Sequence, residues 1–169
     1  MNTRANLDNE SYIRADRMRY TKNSASSLFC YLAILLDVFY FVSIYESDVG
    51  SWYYRILTGS SIVYNLLFML LVFLASEGVK NYKKNYSYVL FLIGALQIGR
   101  IFVLPLQAMN ATSVVSGQTV AVMGAFQGVR VIAYLALSAL CLFAAALINL
   151  KKCALMHRHS LAVAQTEVN

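Results

Sequence analysis

The stretch Ala95-Leu96-Gln97-Ile98-Gly99-Arg100-Ile101 lies inside an apolar run extending from Tyr88 to Met109. At about 1.5 Å per residue a helix of that length crosses a hydrocarbon core of roughly 30 Å, so the run reads as a membrane span. An arginine within it costs at least about 2.5–3.5 kcal/mol at the bilayer centre and calls for a partner elsewhere in the chain. The pattern returns as Ala125-Phe126-Gln127-Gly128-Val129-Arg130-Val131: Ala, a large apolar residue, Gln, two residues, Arg, a β-branched residue. On antiparallel helices the two copies would face each other with inverted polarity.

The rest of the chain fits the same reading. Of its 169 residues 59% are hydrophobic, 13% are charged and one is proline, against about 25% charged in soluble proteins. The apolar runs predict four transmembrane helices over residues 28–45, 56–75, 88–109 and 120–150. Pro105 predicts a kink in the third. The fourth run exceeds what a bilayer needs, so its helix is tilted, extends past the membrane, or starts several residues later, near Ala125. Residues 110–119 read as a Ser/Thr/Asn/Gly-rich link, residues 1–27 as a basic N-terminal segment and residues 151–169 as a tail that becomes polar and disordered after Ala164. A short interfacial helix over residues 11–20 is the alternative to a frayed basic arm.

Charge sets the expected topology. Five bases lie in the N-terminal segment, three in the loop at Lys80, Lys83 and Lys84, and three in the tail, against Arg55 alone in the two opposite loops. The positive-inside rule places both termini in the cytoplasm and the chain in the plasma membrane as a multi-pass protein. The expected fold is therefore an all-α integral membrane protein, a four-transmembrane-helix antiparallel bundle, with Trp52, Tyr53 and Tyr54 as a membrane-interface belt. Gly124 and Gly128 form a GxxxG and are expected to let helices approach closely.

Several functions are excluded by what the sequence lacks. The net charge of +6 flanks apolar runs and is not interleaved with stacking aromatics, which argues against nucleic acid. Cys30, Cys141 and Cys153 show no CxxC spacing, and His157 and His159 have no acidic or thiol ligands at useful spacing, so no metal is expected. There is no phosphate loop, nucleophile elbow or HExxH, so neither enzyme activity nor a cofactor is expected.

The polar residues of the spans carry what remains. Counted from the outer ends, Asp37 lies eight residues before Tyr45, Asn65 nine after Ile56, Arg100 nine before Met109 and Arg130 ten after Val120. On straight helices these fall in one layer about 12–15 Å deep. Asp37 is expected to pair with Arg100, or else with Arg130, while Asn65, Gln97 and Gln127 complete the hydrogen bonds. Two arginines against one carboxylate leave a positive charge that a partner's acid, an anionic lipid or an anionic solute would balance. A fourth helix starting near Ala125 would instead lift Arg130 towards the interface.

Four helices with an acid in the first look like the small multidrug resistance exporters. This chain is longer, has Asp37 where they have glutamate, and adds two arginines that oppose a cationic cargo. Claudin-like tetraspans need an outer-loop cysteine pair and four-helix quinone-reducing thiol enzymes a CxxC, and both are missing. No family is recognised. The leading expectation is a non-catalytic subunit or accessory of a transport-related membrane complex, in contact with the lipid bilayer and with a membrane protein partner or a second copy of itself. The alternatives are a homo-oligomeric secondary transporter using Asp37 as coupling carboxylate, and a structural tetraspan that organises the membrane.

Overall fold

The computed structural model of the chain describes residues 13, 16–18, 21–44, 52–103, 105–110, 112–115, 118–121 and 123–168. In chain order the elements are α1 (Ser24–Ile44), α2 (Trp52–Lys80), α3 (Lys84–Val103), α4 (Pro105–Asn110), β1 (Thr112–Val115), β2 (Gln118–Ala121) and α5 (Ala125–Val168). Four of the helices are long and apolar enough to cross a membrane.

The boundaries differ from the sequence expectation for identifiable reasons. α1 begins at Ser24, ahead of the apolar run, because the Asn23 side-chain oxygen accepts the Ser26 backbone N–H and caps the helix. α3 stops at Val103, and Pro105 opens the separate helix α4 in the first-turn position where its missing N–H is no loss. Across the expected 110–119 link and the first two residues of the expected fourth helix two antiparallel strands pair, with Thr112 opposite Ala121 and Val115 opposite Gln118, in keeping with the β-branched Thr112, Val114, Val115, Thr119 and Val120.

The largest correction concerns the last helix. α5 starts at Ala125, not Val120, and continues through Lys151 and Lys152 to Val168. Lysine is a good helix former, so the composition shift marks where the helix leaves apolar surroundings, not where it ends. Its 44 residues span roughly 66 Å, about twice a hydrocarbon core. The expected disordered tail is therefore helical as far as Val168. Of the N-terminal segment, Ile13 and Asp16–Met18 are helical, and Asp16 Oδ1 lies 3.8 Å from His159 Nε2 on this extension.

The side chains invert the pattern of a soluble helix. On α1 the buried residues are, apart from Ile44, small or polar, including Ser26, Cys30, Ala33, Asp37 and Tyr40. Its exposed residues Leu28, Leu32, Leu35, Phe39 and Val42 form a purely apolar face, as lipid contact requires. α5 packs on both α1 and α3, α2 packs on α1, and the α2–α3 seam is the thinnest of the four. Ser26 and Ser138 reach across α1 and α5 to the carbonyls of Ala145 and Ala33, a contact that alanine-lined backbones permit.

Two apolar clusters fill the interior. One, towards the chain termini, gathers Cys30, Ala33, Phe68, Val72, Leu90 and Leu142; the other, towards the hairpin, gathers Tyr40, Ile44, Ala108, Met123, Val131 and Leu135. Below the first lies a polar clamp. Asn23 Nδ2 donates to Asn149 Oδ1 at 3.1 Å, Asn149 Nδ2 donates to Ser87 Oγ at 2.8 Å and to the Lys83 carbonyl at 3.2 Å, and Lys152 Nζ donates to Asn23 Oδ1 at 2.7 Å. The Asn23 backbone N–H reaches the Lys80 carbonyl at 3.0 Å. The clamp thus joins the start of α1, the α2–α3 turn and α5.

Candidate functional site: a buried ion pair beside a lateral pocket

Between the two apolar clusters the four helices enclose charge. Asp37 is fully buried, and its Oδ1 accepts from Gln97 Nε2 at 3.0 Å and from Arg100 Nη1 at 3.3 Å. Gln97 and Arg100 stand three apart on α3, so both face the same neighbour. Arg100 Nη2 donates to Ser61 Oγ on α2 at 2.7 Å. The guanidinium carbon lies 4.2 Å from the ring centroid of Tyr40 and 4.7 Å from that of Tyr64, so aromatic faces bracket the charge.

This arrangement holds the arginine by several modest interactions. An ion pair in low dielectric gains Coulomb energy that only roughly offsets its desolvation, and needs hydrogen bonds to its remaining atoms. The arginine receives one from Ser61 and is held further by the two ring faces. Its counter-ion is less completely served. Asp37 Oδ2, Gln97 Oε1 and both amide atoms of Asn65 are buried with no hydrogen-bond partner among the described residues. Most buried polar side-chain atoms in proteins are paired, so four such atoms in one region distinguish the centre from ordinary packing.

The pair is also open on one side. A cavity of about 430 Å³ lies between α2 and α3, lined by Ser60, Ser61, Tyr64, Leu96, Gly99, Arg100 and Val103. Leu96 and Val103 are each 52% exposed, so the cavity reaches the outer apolar surface.

The predicted layer is thus assembled in part. Asp37, Gln97 and Arg100 meet, and Asn65 is fully buried on α2 one residue from Tyr64. Arg130 and Gln127 do not join them. The pairs Ser138–Ala33, Tyr134–Phe39 and Gln127–Ser43 run antiparallel along α5 and α1. They set Arg130 level with Phe41 and Val42, roughly 7 Å from the level of Asp37. Arg130 is half-buried with its guanidinium carbon 5.7 Å from the Phe126 ring, and Gln127 Nε2 donates to the Ser43 carbonyl at 2.8 Å. Starting α5 at Ala125 moves both residues out of the layer. The centre then holds one arginine and one carboxylate, and the expected excess of positive charge disappears.

The two glycines of the GxxxG meet different surroundings within the chain. Gly128 packs against the Met109 thioether, but a Cβ on Gly124 would meet nothing within 4 Å, because Gly124 precedes α5. The glycines that fit close neighbours include Gly78, against the Tyr86 ring, and Gly94, where a Cβ would lie 2.8 Å from the Phe143 ring. The side chains of Trp52, Tyr53 and Tyr54, the expected belt, lie outside the described residues.

Sequence reading missed Ser61 and Tyr64. The available signal was Ser61, Tyr64 and Asn65 at i, i+3 and i+4, a polar stripe on an apolar helix, of which only Asn65 stood out by type. Among the described residues no group of three or more His, Cys, Asp or Glu comes together. Comparison with protein-family models, with curated proteins and with solved structures found no match to this chain.

Proposed function

We propose that this chain is a non-catalytic, four-helix integral membrane protein that serves as a subunit or accessory of a transport-related membrane complex, with both termini on the cytoplasmic side. Its recognition group is Arg100, which receives an acidic group from the bilayer side of the α2–α3 seam while Asp37 acts as internal counter-ion. The carrying observation is that a buried charge, already neutralised by Asp37, still forms the wall of a cavity that opens laterally. A pair serving only to fix the bundle has no need of that opening. The excess of bases in residues 1–27, at Lys80, Lys83 and Lys84 and in the tail supports the orientation.

The test is purification in mild detergent from the native membrane, comparing the wild type with the double variant Asp37→Asn/Arg100→Gln, which keeps the pair neutral and hydrogen-bonded. A stoichiometric membrane partner lost in the variant at unchanged abundance supports the reading. A partner retained in full, or none at all, counts against it.

The four unpartnered polar atoms favour a second reading, a homo-oligomeric carrier in which Asp37 is the coupling carboxylate. Proton-coupled flux in liposomes of the purified protein, abolished by Asp37→Asn, would establish it, and absence of flux would remove it.

A further inference from the structure

The cavity beside Arg100 is larger than the ion pair explains. Its volume of about 430 Å³ lies in the range of roughly 300–1,000 Å³ typical of small-ligand sites, which are likewise mostly apolar with a few polar anchors. Along α3 the lining residues Leu96, Gly99, Arg100 and Val103 cover two turns, about 10 Å. Gly99 contributes to the opening: a Cβ there would meet no atom within 4 Å.

The chemistry of the wall is equally specific. Among the described lining residues Arg100 is the one that is charged, and it is only 8% exposed. A guanidinium carries five N–H donors in a planar fork; those of Arg100 reach Asp37 Oδ1 and Ser61 Oγ. Ser60 and Ser61 line the cavity beside it in a wall that is otherwise overwhelmingly apolar, and the side chains of Leu96 and Val103 lie next along α3. Polar groups grouped against an apolar track describe a ligand with a small acceptor head and a hydrocarbon body.

We propose that the α2–α3 cavity binds the carboxylate end of a single-chain membrane amphiphile that enters sideways from the bilayer. Arg100 and the serine hydroxyls hold the carboxylate, and the chain lies along Leu96 and Val103. The inference rests on the reading of Arg100 as recognition group and replaces an unspecified acid with a chemical class. Size favours one chain: about 430 Å³ lies near the lower end of the roughly 300–1,000 Å³ of small-ligand sites, short of what a glycerophosphate with two acyl chains would fill. Depth selects a small head. Ser61, which bonds Arg100, is nine residues into α2 from Trp52, about 13 Å along the helix, where a phosphodiester would have to leave the headgroup layer. A carboxylate is the smaller anion that still fits the guanidinium fork.

The experiment uses the purified full-length protein without any partner, in phosphatidylcholine nanodiscs containing a trace of a photoreactive fatty acid. Expected is labelling concentrated on peptides covering residues 60–64 and 96–103, reduced at least tenfold by excess oleate but less than twofold by oleyl alcohol. Gly99→Leu, which fills the cavity and leaves Asp37 and Arg100 in place, should lower labelling at least tenfold with an unchanged melting temperature. Gly124→Leu, at another open glycine, should leave it unchanged. Label spread evenly over all lipid-facing helices overturns the proposal, as does equal competition by the alcohol. Displacement by a transmembrane peptide with a central glutamate but not by oleate overturns it in favour of a partner helix. The competition arm needs no variant, so it decides the matter even if Gly99→Leu fails to fold. Because no partner is present, failure here leaves the purification test of the complex intact.

Discussion

Two polar layers cross this molecule, and they are built from similar residues to opposite effect. The clamp near the chain termini uses Asn23, Asn149, Ser87 and Lys152; the central layer uses Asn65, Gln97, Ser61 and Arg100 with Asp37. In the clamp every amide atom is engaged, since Asn149 Oδ1 accepts from Asn23 and Asn23 Oδ1 accepts from Lys152 and the Ser26 N–H. In the central layer both amide atoms of Asn65, Gln97 Oε1 and Asp37 Oδ2 stand without partners among the described residues. A closed network locks helices in register and has no further capacity to bind. An open one in low dielectric carries a continuing cost, and sites retained at such a cost are where binding or chemistry is expected.

Arg100→Met attacks the central layer and should have the largest effect. Removing one partner of a buried pair strands the other and costs about 3–5 kcal/mol. Chemical unfolding in detergent measures it, and adding Asp37→Asn should recover more than half of the loss through coupling between the two sites. Full additivity of the two substitutions would show that the pair does not act as a unit.

Asn149→Ala attacks the clamp. It leaves Asn23 Nδ2 without its acceptor and Ser87 and the Lys83 carbonyl without their donor. A loss of about 1–3 kcal/mol follows from buried groups left unmade. Pull-down of a partner and labelling by an amphiphile should be unchanged relative to folded protein, and if either is lost selectively the division between a structural and a functional layer is wrong.

Arg130→Ala separates the two arginines that the sequence presents as equivalent. Arg130 is half-buried and touches the Phe126 ring, whereas Arg100 holds a fully buried carboxylate, so unfolding should shift by less than the roughly 3–5 kcal/mol expected of Arg100→Met. A loss comparable with Arg100→Met would place Arg130 in the layer after all. The smallest effect is expected of Asn65→Leu. An apolar group of similar size replaces amide atoms that lack partners, which is near neutral or slightly stabilising, within about 1 kcal/mol. Stability held or raised together with lost function would identify Asn65 as retained for activity, whereas a loss above about 2 kcal/mol would mean that its amide has partners in the folded protein.

The pairing of Asp37 with Arg100 was legible because charges inside apolar runs are few and depth can be counted along a helix. The error over Arg130 came from a single boundary. Apolar composition begins at Val120, but residues 118–121 form a strand, and the helix starts five residues later. Hydropathy responds to apolar residues in either conformation, so it does not separate an apolar β-hairpin from a helix start. Ser61 and Tyr64 were hidden for another reason: serine and tyrosine occur on both lipid-facing and buried surfaces, and only packing shows which. The clamp escaped notice because Asn23 and Asn149 sit where the apolar runs end and look like boundary residues.

From the sequence alone came the four apolar helices, the few polar residues set at similar depth within them, and a charge in the first helix matched by one in the third. These are properties of single segments, governed by solvation along one helix axis. The tertiary structure decided which arginine meets the carboxylate, which polar atoms are left over, and that the thin α2–α3 seam opens a cavity at Arg100. Those depend on the rotation and vertical register of four helices relative to one another. An offset of one turn, about 5.4 Å, exceeds the reach of a hydrogen bond and leaves the hydropathy of every segment unchanged.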